Sequence, residues 1–191
     1  MRARDRGHLR IPLKNYLVVL LVAACAAVEE APWLVRYEPS PPQVVSAMLE
    51  LAQVSEKDVV YDLGCGDGRI VIEAAKRYGA RGVCVDIDPR RIAEARANAA
   101  EAGVAHKIRF REQDLMRTDL SDATVVTLFL SYDLNLALQP KLERELPAGT
   151  PVVSHWHRMG DWQPEKTITV KGPDRGNEVF LFRTRGESRG L

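Results

Sequence analysis

Asp62, Asp67, Asp86 and Asp114 are carboxylates gathered around one glycine cluster, and their spacing sets the chemistry open to this chain. The cluster reads Asp62-Leu63-Gly64-Cys65-Gly66-Asp67-Gly68. Glycines let the backbone approach a ligand closely, and such turns often cradle phosphates. The dinucleotide form G-x-G-x-x-G is not met, because Arg69 stands where the third glycine is needed. Asp62 and Asp67 would also put negative charge where a pyrophosphate lies. A cationic ligand without phosphates fits this loop better. Asp86 follows Asp62 by 24 residues, near the ~20-residue spacing at which an acid meets ribose hydroxyls. Its two oxygens can accept from both hydroxyls of a ribose at once. Taken singly, an acid at a strand end reads as a helix cap or a solvated side chain. Acids at successive strand ends, with the loop, are much more specific. Asp88 is the opposite case, since Pro89 behind it marks a cap.

Positioning these groups needs a sheet whose strands end at one edge. Ser40-Pro41-Pro42-Gln43 reads as a helix start, with Ser40 capping, Pro41 at the first helical position and Gln43 closing a capping box. Val59 to Asp62 is a short apolar run that stops at the glycines, as a buried parallel strand does. Ile70, Val71, Ala74, Ala75 and Tyr78 then follow helical spacing up to Gly79. The alternation continues with a strand over 81–86, a helix from Pro89 to Ala102 and a strand over 107–112. A strand over 124–130, a helix over 134–146 interrupted by Pro140, and a strand over 150–155 come next. Two β-prone runs, 167–171 and 178–183, flank a turn and read as a hairpin. The expected fold is α/β: a doubly wound sheet with helices on both faces, closed by an antiparallel hairpin. The loop after the first strand would lie at the carboxyl edge, where such sheets bind ligands.

S-adenosylmethionine, with a sulfonium, an amino group and an adenosine, is a ligand of the required kind. The motif D-L-G-C-G-D-G resembles motif I of class I methyltransferases, which implies a seven-stranded Rossmann-like sheet and this cofactor. Tyr37-Glu38-Pro39-Ser40, the run from Asp62 to Ile72, Lys141 to Leu146 and Asp161-Trp162-Gln163-Pro164 extend the likeness over roughly Tyr37 to Arg183. Together they resemble the lysine methyltransferases of the ATP synthase c-subunit and the adenine nucleotide translocase. The resemblance implies that the backbone of Gly64, Gly66 and Gly68 approaches the methionine part of the cofactor, with Tyr37, Asp62, Cys65 and Asp67 also binding it. It implies that Asp86 takes the ribose and Asp114 the adenine amino group, with Ile87 and Leu115 also binding the cofactor. It also implies a protein lysine acceptor, with a membrane protein as the candidate substrate.

A lysine, with an ordinary pKa near 10.4, must lose its proton before it can attack a methyl group. The expected acceptor lip is Ser131-Tyr132-Asp133-Leu134-Asn135, where Asp133 could attract the ammonium and Tyr132 or Asn135 orient the amine. Asp133 reads equally well as the cap of the following helix. Trp162 could wall the acceptor channel or simply cover the sheet edge. The lip has no N/D-P-P-Y/F/W sequence, which argues against methylation of an adenine or glutamine amine. No Pro-Cys pair is present, against a cysteine-dependent pyrimidine mechanism. His155 and His157, expected on one strand face, have no third partner nearby in sequence, and no metal site is expected. The spacing of Cys65 and Cys84 suggests no pairing, and Cys84 reads as a buried thiol.

Charge divides the 191 residues in two. Residues 1–36 carry 6 Lys+Arg and 3 Asp+Glu, a net +3; residues 37–191 carry 21 and 23, a net −2, and the whole sums to +1. That balance excludes a binder recognised by basic charge alone, and no stable nucleic-acid partner is expected. The first part is basic and then apolar from Tyr16 to Val28, too short for the ~20 residues that cross a bilayer but matching a signal or anchor. Cys25 in Val22-Ala23-Ala24-Cys25 could be lipidated, and a misplaced start is the plain alternative. The expected division is 1–36 as address, anchor and linker, and 37–191 as a monomeric methyltransferase domain. Membrane association with the domain in the cytoplasm is expected, because the cofactor is made there; an exported or a soluble cytoplasmic protein is the alternative. A small-molecule or RNA acceptor, and a tethered cofactor-binding module without activity, are the competing functions.

Overall fold

The computed structural model describes residues 37–172 and 176–186. The expectations for residues 1–36, including the apolar run 16–28 and the domain boundary, lie outside the described residues. Among the described residues no helix is long and apolar enough to cross a membrane.

The elements run α1 (Pro42–Leu51), β1 (Val59–Leu63), α2 (Arg69–Tyr78), β2 (Arg81–Asp86), α3 (Pro89–Glu101), β3 (Ile108–Glu112), β4 (Val125–Leu128), α4 (Tyr132–Glu145), β5 (Pro151–His155), β6 (Lys166–Val170) and β7 (Asn177–Arg183). They build one seven-stranded sheet in the order β3-β2-β1-β4-β5-β7-β6. Strands β1 to β5 pair in parallel, and β7 is antiparallel to both β5 and β6. This is the expected doubly wound sheet with its terminal hairpin. Strand order reverses between β1 and β4, so the ligand crevice falls outside their carboxyl ends.

Every side chain of β1 is buried, as a central strand covered on both faces requires. Tyr61 and Leu63 face Leu138 and Leu142 of α4, while Val60 faces Val44, Met48 and Ala74 of α1 and α2. Helix α3 joins the α1–α2 side through Ile92, Ala95 and Ala99 against Val71 and Ala75.

Several boundaries differ from the sequence reading for definable reasons. Helix α1 starts one residue later, at Pro42, and Ser40 does not cap it. The Ser40 hydroxyl is instead turned to His155 Nδ1, 2.9 Å away. Helix α4 begins two residues early, so Ser131 is its cap and accepts from the Leu134 N–H; Asp133 lies in the first turn. Pro140 does not interrupt α4. The carbonyl that loses its partner there belongs to Leu136, which is exposed and can be met by water. Crossovers after β3 and β5 contain no long helix, only a short 3₁₀ turn over Leu115–Arg117 and a loop.

Candidate active site

The loop Gly64–Gly68 leaves β1 at the strand-order reversal. It is anchored to β2, because the Gly64 and Cys65 N–H groups both donate to Val85 O at 2.8 and 3.0 Å. Cys65 and Cys84 form a disulfide with a Cα–Cα distance of 5.3 Å, where the sequence reading expected separate thiols. The parallel register sets Cys84 opposite Asp62, so the chain leaving β1 passes back over it. Spacing in sequence carries no trace of that contact.

Asp86, at the end of β2, is the keystone of the loop. Its Oδ2 accepts from the Gly66 N–H at 2.9 Å and its Oδ1 from the Asp88 N–H at 3.0 Å. Each carboxylate oxygen keeps a second lone pair for a ligand hydroxyl. Asp88 caps α3 as expected, accepting from the Arg90 N–H. Asp114 is engaged too: its Oδ1 accepts from the Met116 N–H and starts the 3₁₀ turn that contains Leu115. Ile87 and Met116, on either side of this corner, are exposed apolar side chains.

Asp67 is not the free negative charge that the sequence reading placed in the loop. Arg69 Nε donates to it at 2.9 Å, and the guanidinium also reaches Ser40 O at 2.9 Å. Partial burial pushes the Asp67 carboxyl up, but hydrogen bonds and charge from Arg69 outweigh that and hold it below its usual range. Asp62 is the opposite. It is buried with Oδ1 accepting from the Thr127 hydroxyl at 2.9 Å, and Oδ2 has no partner. Burial, reinforced by the Asp86 and Asp67 charges against the help of Thr127, pushes it up to about 7.

The glycines are needed for reasons within the protein. A Cβ on Gly66 would stand 2.4 Å from the Tyr37 ring, and the residue has φ +54°. A Cβ on Gly68 would meet the Ala95 Cβ at 2.9 Å, at φ +79°. Gly68 therefore lets α2 and α3 pack closely, the task that position 69 cannot perform as arginine. Gly66→Ala is expected to destabilise the domain by about 1–2 kcal/mol through the left-handed backbone and the collision. Adding Tyr37→Ala should recover the collision part only. Thermal midpoints of the single and double variants measure both, and equal midpoints for the two would show that Tyr37 is not the obstacle.

Tyr37 starts a strap across the carboxyl edge. Its ring lies over Gly66 with the Arg91 guanidinium 4.4 Å from the ring centroid, and three residues on Ser40 meets His155 at the end of β5. His155 is buried, with Nε2 3.3 Å from Asn177 Oδ1 and its ring centroid 4.1 Å from that of Phe129. Burial holds its pKa below the usual value, against the opposing pull of Asn177. His155 and His157 do not share a strand face, because β5 ends between them at Trp156. Among the described residues no cluster of three metal-ligating side chains is found.

At the lip Tyr132 and Asp133 are exposed, but Asn135 is not. Its Nδ2 donates to Ser154 Oγ at 3.2 Å and to the carbonyls of His157 and Arg158 at 3.2 and 3.4 Å, leaving Oδ1 buried without a partner. Trp162 packs against Phe182 in the core, ring centroids 6.0 Å apart, and covers the sheet rather than walling a channel. Sequence reasoning missed Trp156, a non-glycine residue at φ +67°. Only its tryptophan identity beside two histidines could have marked it.

Residues 62–166 match the family model described as the ANTKMT methyltransferase domain. The chain is 46% identical over 149 residues to a protein-lysine N-methyltransferase of Saccharolobus islandicus, covering 78% of this chain and 92% of that one. It is 36% identical over 126 residues to the adenine nucleotide translocase lysine N-methyltransferase of Mus musculus, covering 65% of this chain and 53% of that protein, so it spans about half the length of this animal relative. A solved structure described as an RNA methyltransferase from Salinibacter ruber in complex with S-adenosyl-L-homocysteine superposes with a TM-score of 0.75 at 49% identity, covering 81% of this chain and 99% of that one. With more than half its residues inside the family model, this chain belongs to the ANTKMT methyltransferase domain family.

Proposed function

We propose that this methyltransferase uses S-adenosylmethionine to methylate protein lysine. The observation that carries the reading is the near-complete span, 92%, of a relative named for protein-lysine methylation. The site residues fit the cofactor: an orphaned buried carboxylate oxygen at Asp62 suits a cationic ligand, and the spare lone pairs of Asp86 suit ribose hydroxyls. Ile87, Asp114 and Leu115 would hold its adenosine part. When bound, the cofactor supplies a methyl group already activated by a sulfonium. The chain's own task is alignment and proton removal, so that the amine lone pair faces that carbon. Tyr132 and Asp133 are exposed at the lip and are proposed to meet the acceptor, and Leu136 extends an apolar surface one turn further. Asn135 is assigned to holding the turn after β5, since its amide nitrogen is fully engaged.

An RNA acceptor is the second reading, prompted by the name of the Salinibacter ruber protein. Against it, three arginines of this edge carry an acidic partner within the protein, Arg69 with Asp67, Arg90 with Asp88 and Arg91 with Glu94, which lowers the positive field open to a phosphate backbone. Incubating the full chain with tritiated S-adenosylmethionine and whole-cell membrane extract decides between them. Label resistant to ribonuclease and mapping to lysine is expected; label in RNA, or none, overturns the lysine reading.

We further propose a monomer held at the membrane through residues 16–28 with its domain in the cytoplasm. Cell fractionation of the full chain beside a chain beginning at Tyr37 tests this. Pelleting with membranes should be lost in the shorter chain, and equal distribution of the two would end the idea.

A further inference from the structure

Three consecutive residues of β2 hold three consecutive residues of the glycine loop. Val85 O accepts from the Gly64 and Cys65 N–H groups at 2.8 and 3.0 Å, Asp86 Oδ2 accepts from the Gly66 N–H at 2.9 Å, and Cys84 is bonded through sulfur to Cys65. Cys84 and Asp86 stand two apart on the strand, so their side chains leave the same face of the sheet. The covalent link and the hydrogen bond to Gly66 are therefore neighbours. Among these ties only the sulfur–sulfur bond is made and broken by electrons.

The two cysteines differ in how far they can move. Cys84 is fully buried in β2, where it is in register with Asp62 of β1 on one side and Phe110 of β3 on the other. Cys65 belongs to the loop. Val71, Ala75, Ile92 and Ala95, from α2 and α3, pack around the pair. When the bond opens, two thiols replace it, and unbonded sulfurs approach no closer than van der Waals contact, so the pair needs more room in a close-packed cluster. A strand laddered on both sides cannot give, and the displacement falls on Cys65. Gly66 is the next residue, and it already lies against the Tyr37 ring, where a Cβ would stand 2.4 Å away. Shifting the loop therefore disturbs the Asp86–Gly66 hydrogen bond and the Tyr37 contact together.

We infer that the Cys65–Cys84 pair is a thiol–disulfide site that governs the grip on S-adenosylmethionine: the bond locks the loop in its binding shape, and reduction by a dithiol loosens it. This rests on the reading of Gly64–Gly68 and Asp86 as the cofactor cradle and adds its regulation. A thiolate of the reductant attacks the sulfur of Cys65, the residue of the pair with some exposure, and the electron pair of the broken bond leaves with Cys84 sulfur, which takes a proton. The reductant's second thiol then displaces Cys65 sulfur as a thiol. The dithiol ends as a disulfide, and two electrons and two protons have passed to the two cysteines. Tighter binding by the oxidised chain requires that the cofactor protect the disulfide by the same factor.

Calorimetry on the full chain, oxidised and after dithiothreitol, is expected to show about tenfold weaker S-adenosylmethionine binding in the reduced chain, the weight of one hydrogen bond. Cys84→Ala should bind as the reduced parent does and ignore dithiothreitol. In mixtures of reduced and oxidised dithiothreitol, with alkylation and peptide mass mapping of Cys65 and Cys84, saturating S-adenosylmethionine should lower the midpoint potential by about 30 mV, the same tenfold for two electrons. A merely structural disulfide would change the thermal midpoint and leave that potential indifferent to the cofactor. Affinities within twofold in the two redox states, or a potential unmoved by cofactor, overturn this inference alone when Asp86→Ala has lost binding. Asp86→Ala binding as the parent does overturns the cradle reading and this inference with it. Loss of the circular dichroism spectrum on reduction would make the bond a staple of the whole fold and overturn its role as a local clamp.

Discussion

Asp86→Ala is expected to weaken S-adenosylmethionine binding by at least 100-fold while leaving the sheet folded. The carboxylate does two tasks, and alanine ends both. It fixes the loop by accepting from the Gly66 and Asp88 N–H groups, and it offers two further lone pairs to ribose hydroxyls in the proposed complex. Hydrogen bonds to a charged group contribute about 1.5–3 kcal/mol each. Losing the two to ligand already accounts for roughly 3–6 kcal/mol, or two to four decades in affinity. Asp86→Asn keeps one accepting oxygen and should fall between, about tenfold weaker. Calorimetric titration reads all three chains, with circular dichroism as the check on folding. Binding by Asp86→Ala within threefold of the parent would remove this residue from the site.

The second large effect is on pH. Asp62 stands at about 7 because burial disfavours its charge, so the folded chain holds a proton that the unfolded chain releases near 4. Its folded value is raised, which fixes the sign: the contribution of Asp62 to stability is greatest below about pH 4 and is lost as pH rises between about 4 and 7. The span of roughly three units amounts to an upper figure of about 4 kcal/mol lost by pH 8. A cation bound beside Asp62 favours the charged form, so binding should expel the proton. Affinity for S-adenosylmethionine is accordingly expected to drop by up to tenfold for each unit of acidification below about pH 7. Asp62→Asn should flatten both the affinity profile and the fall in thermal midpoint of the unliganded chain from pH 5 to pH 8. An affinity independent of pH in the parent would show that Asp62 does not face the cationic part of the ligand.

The carboxyl edge was legible from sequence because its signals are local. An apolar run that stops at glycines, as Val59 to Leu63 does, marks a buried strand and its turn together, and Asp86 closes β2 in the same manner. The parallel sheet follows from alternation and the hairpin from β-prone runs about a turn; the order of the strands, with β7 between β5 and β6, does not. What stayed hidden depends on residues far apart in the chain. Ser40 caps nothing because His155, 115 residues away, takes its hydroxyl. Cys65 meets Cys84 through a parallel register that only the folded sheet sets. Asn135 was expected at the amine, but α4 begins two residues early and rotates that position into the interior. The positive φ of Trp156 has no glycine or asparagine to announce it; Glu178 of β7 and Asn135 of α4, both distant in the chain, help to hold the turn.

The Ser40–His155–Asn177 chain of hydrogen bonds has a temporal meaning. Asn177 opens β7, the last of the described strands, and β7 is slotted between β5 and β6. His155 is fixed by Asn177, the strap is fixed by His155, and the strap covers the glycine loop near the start of the domain. During synthesis the loop and its acids emerge early, but the edge that holds them cannot close until β7 has left the ribosome. Contacts of such long sequence separation form late in folding. A nascent chain stopped before β7 would thus carry every loop acid and still lack the finished site.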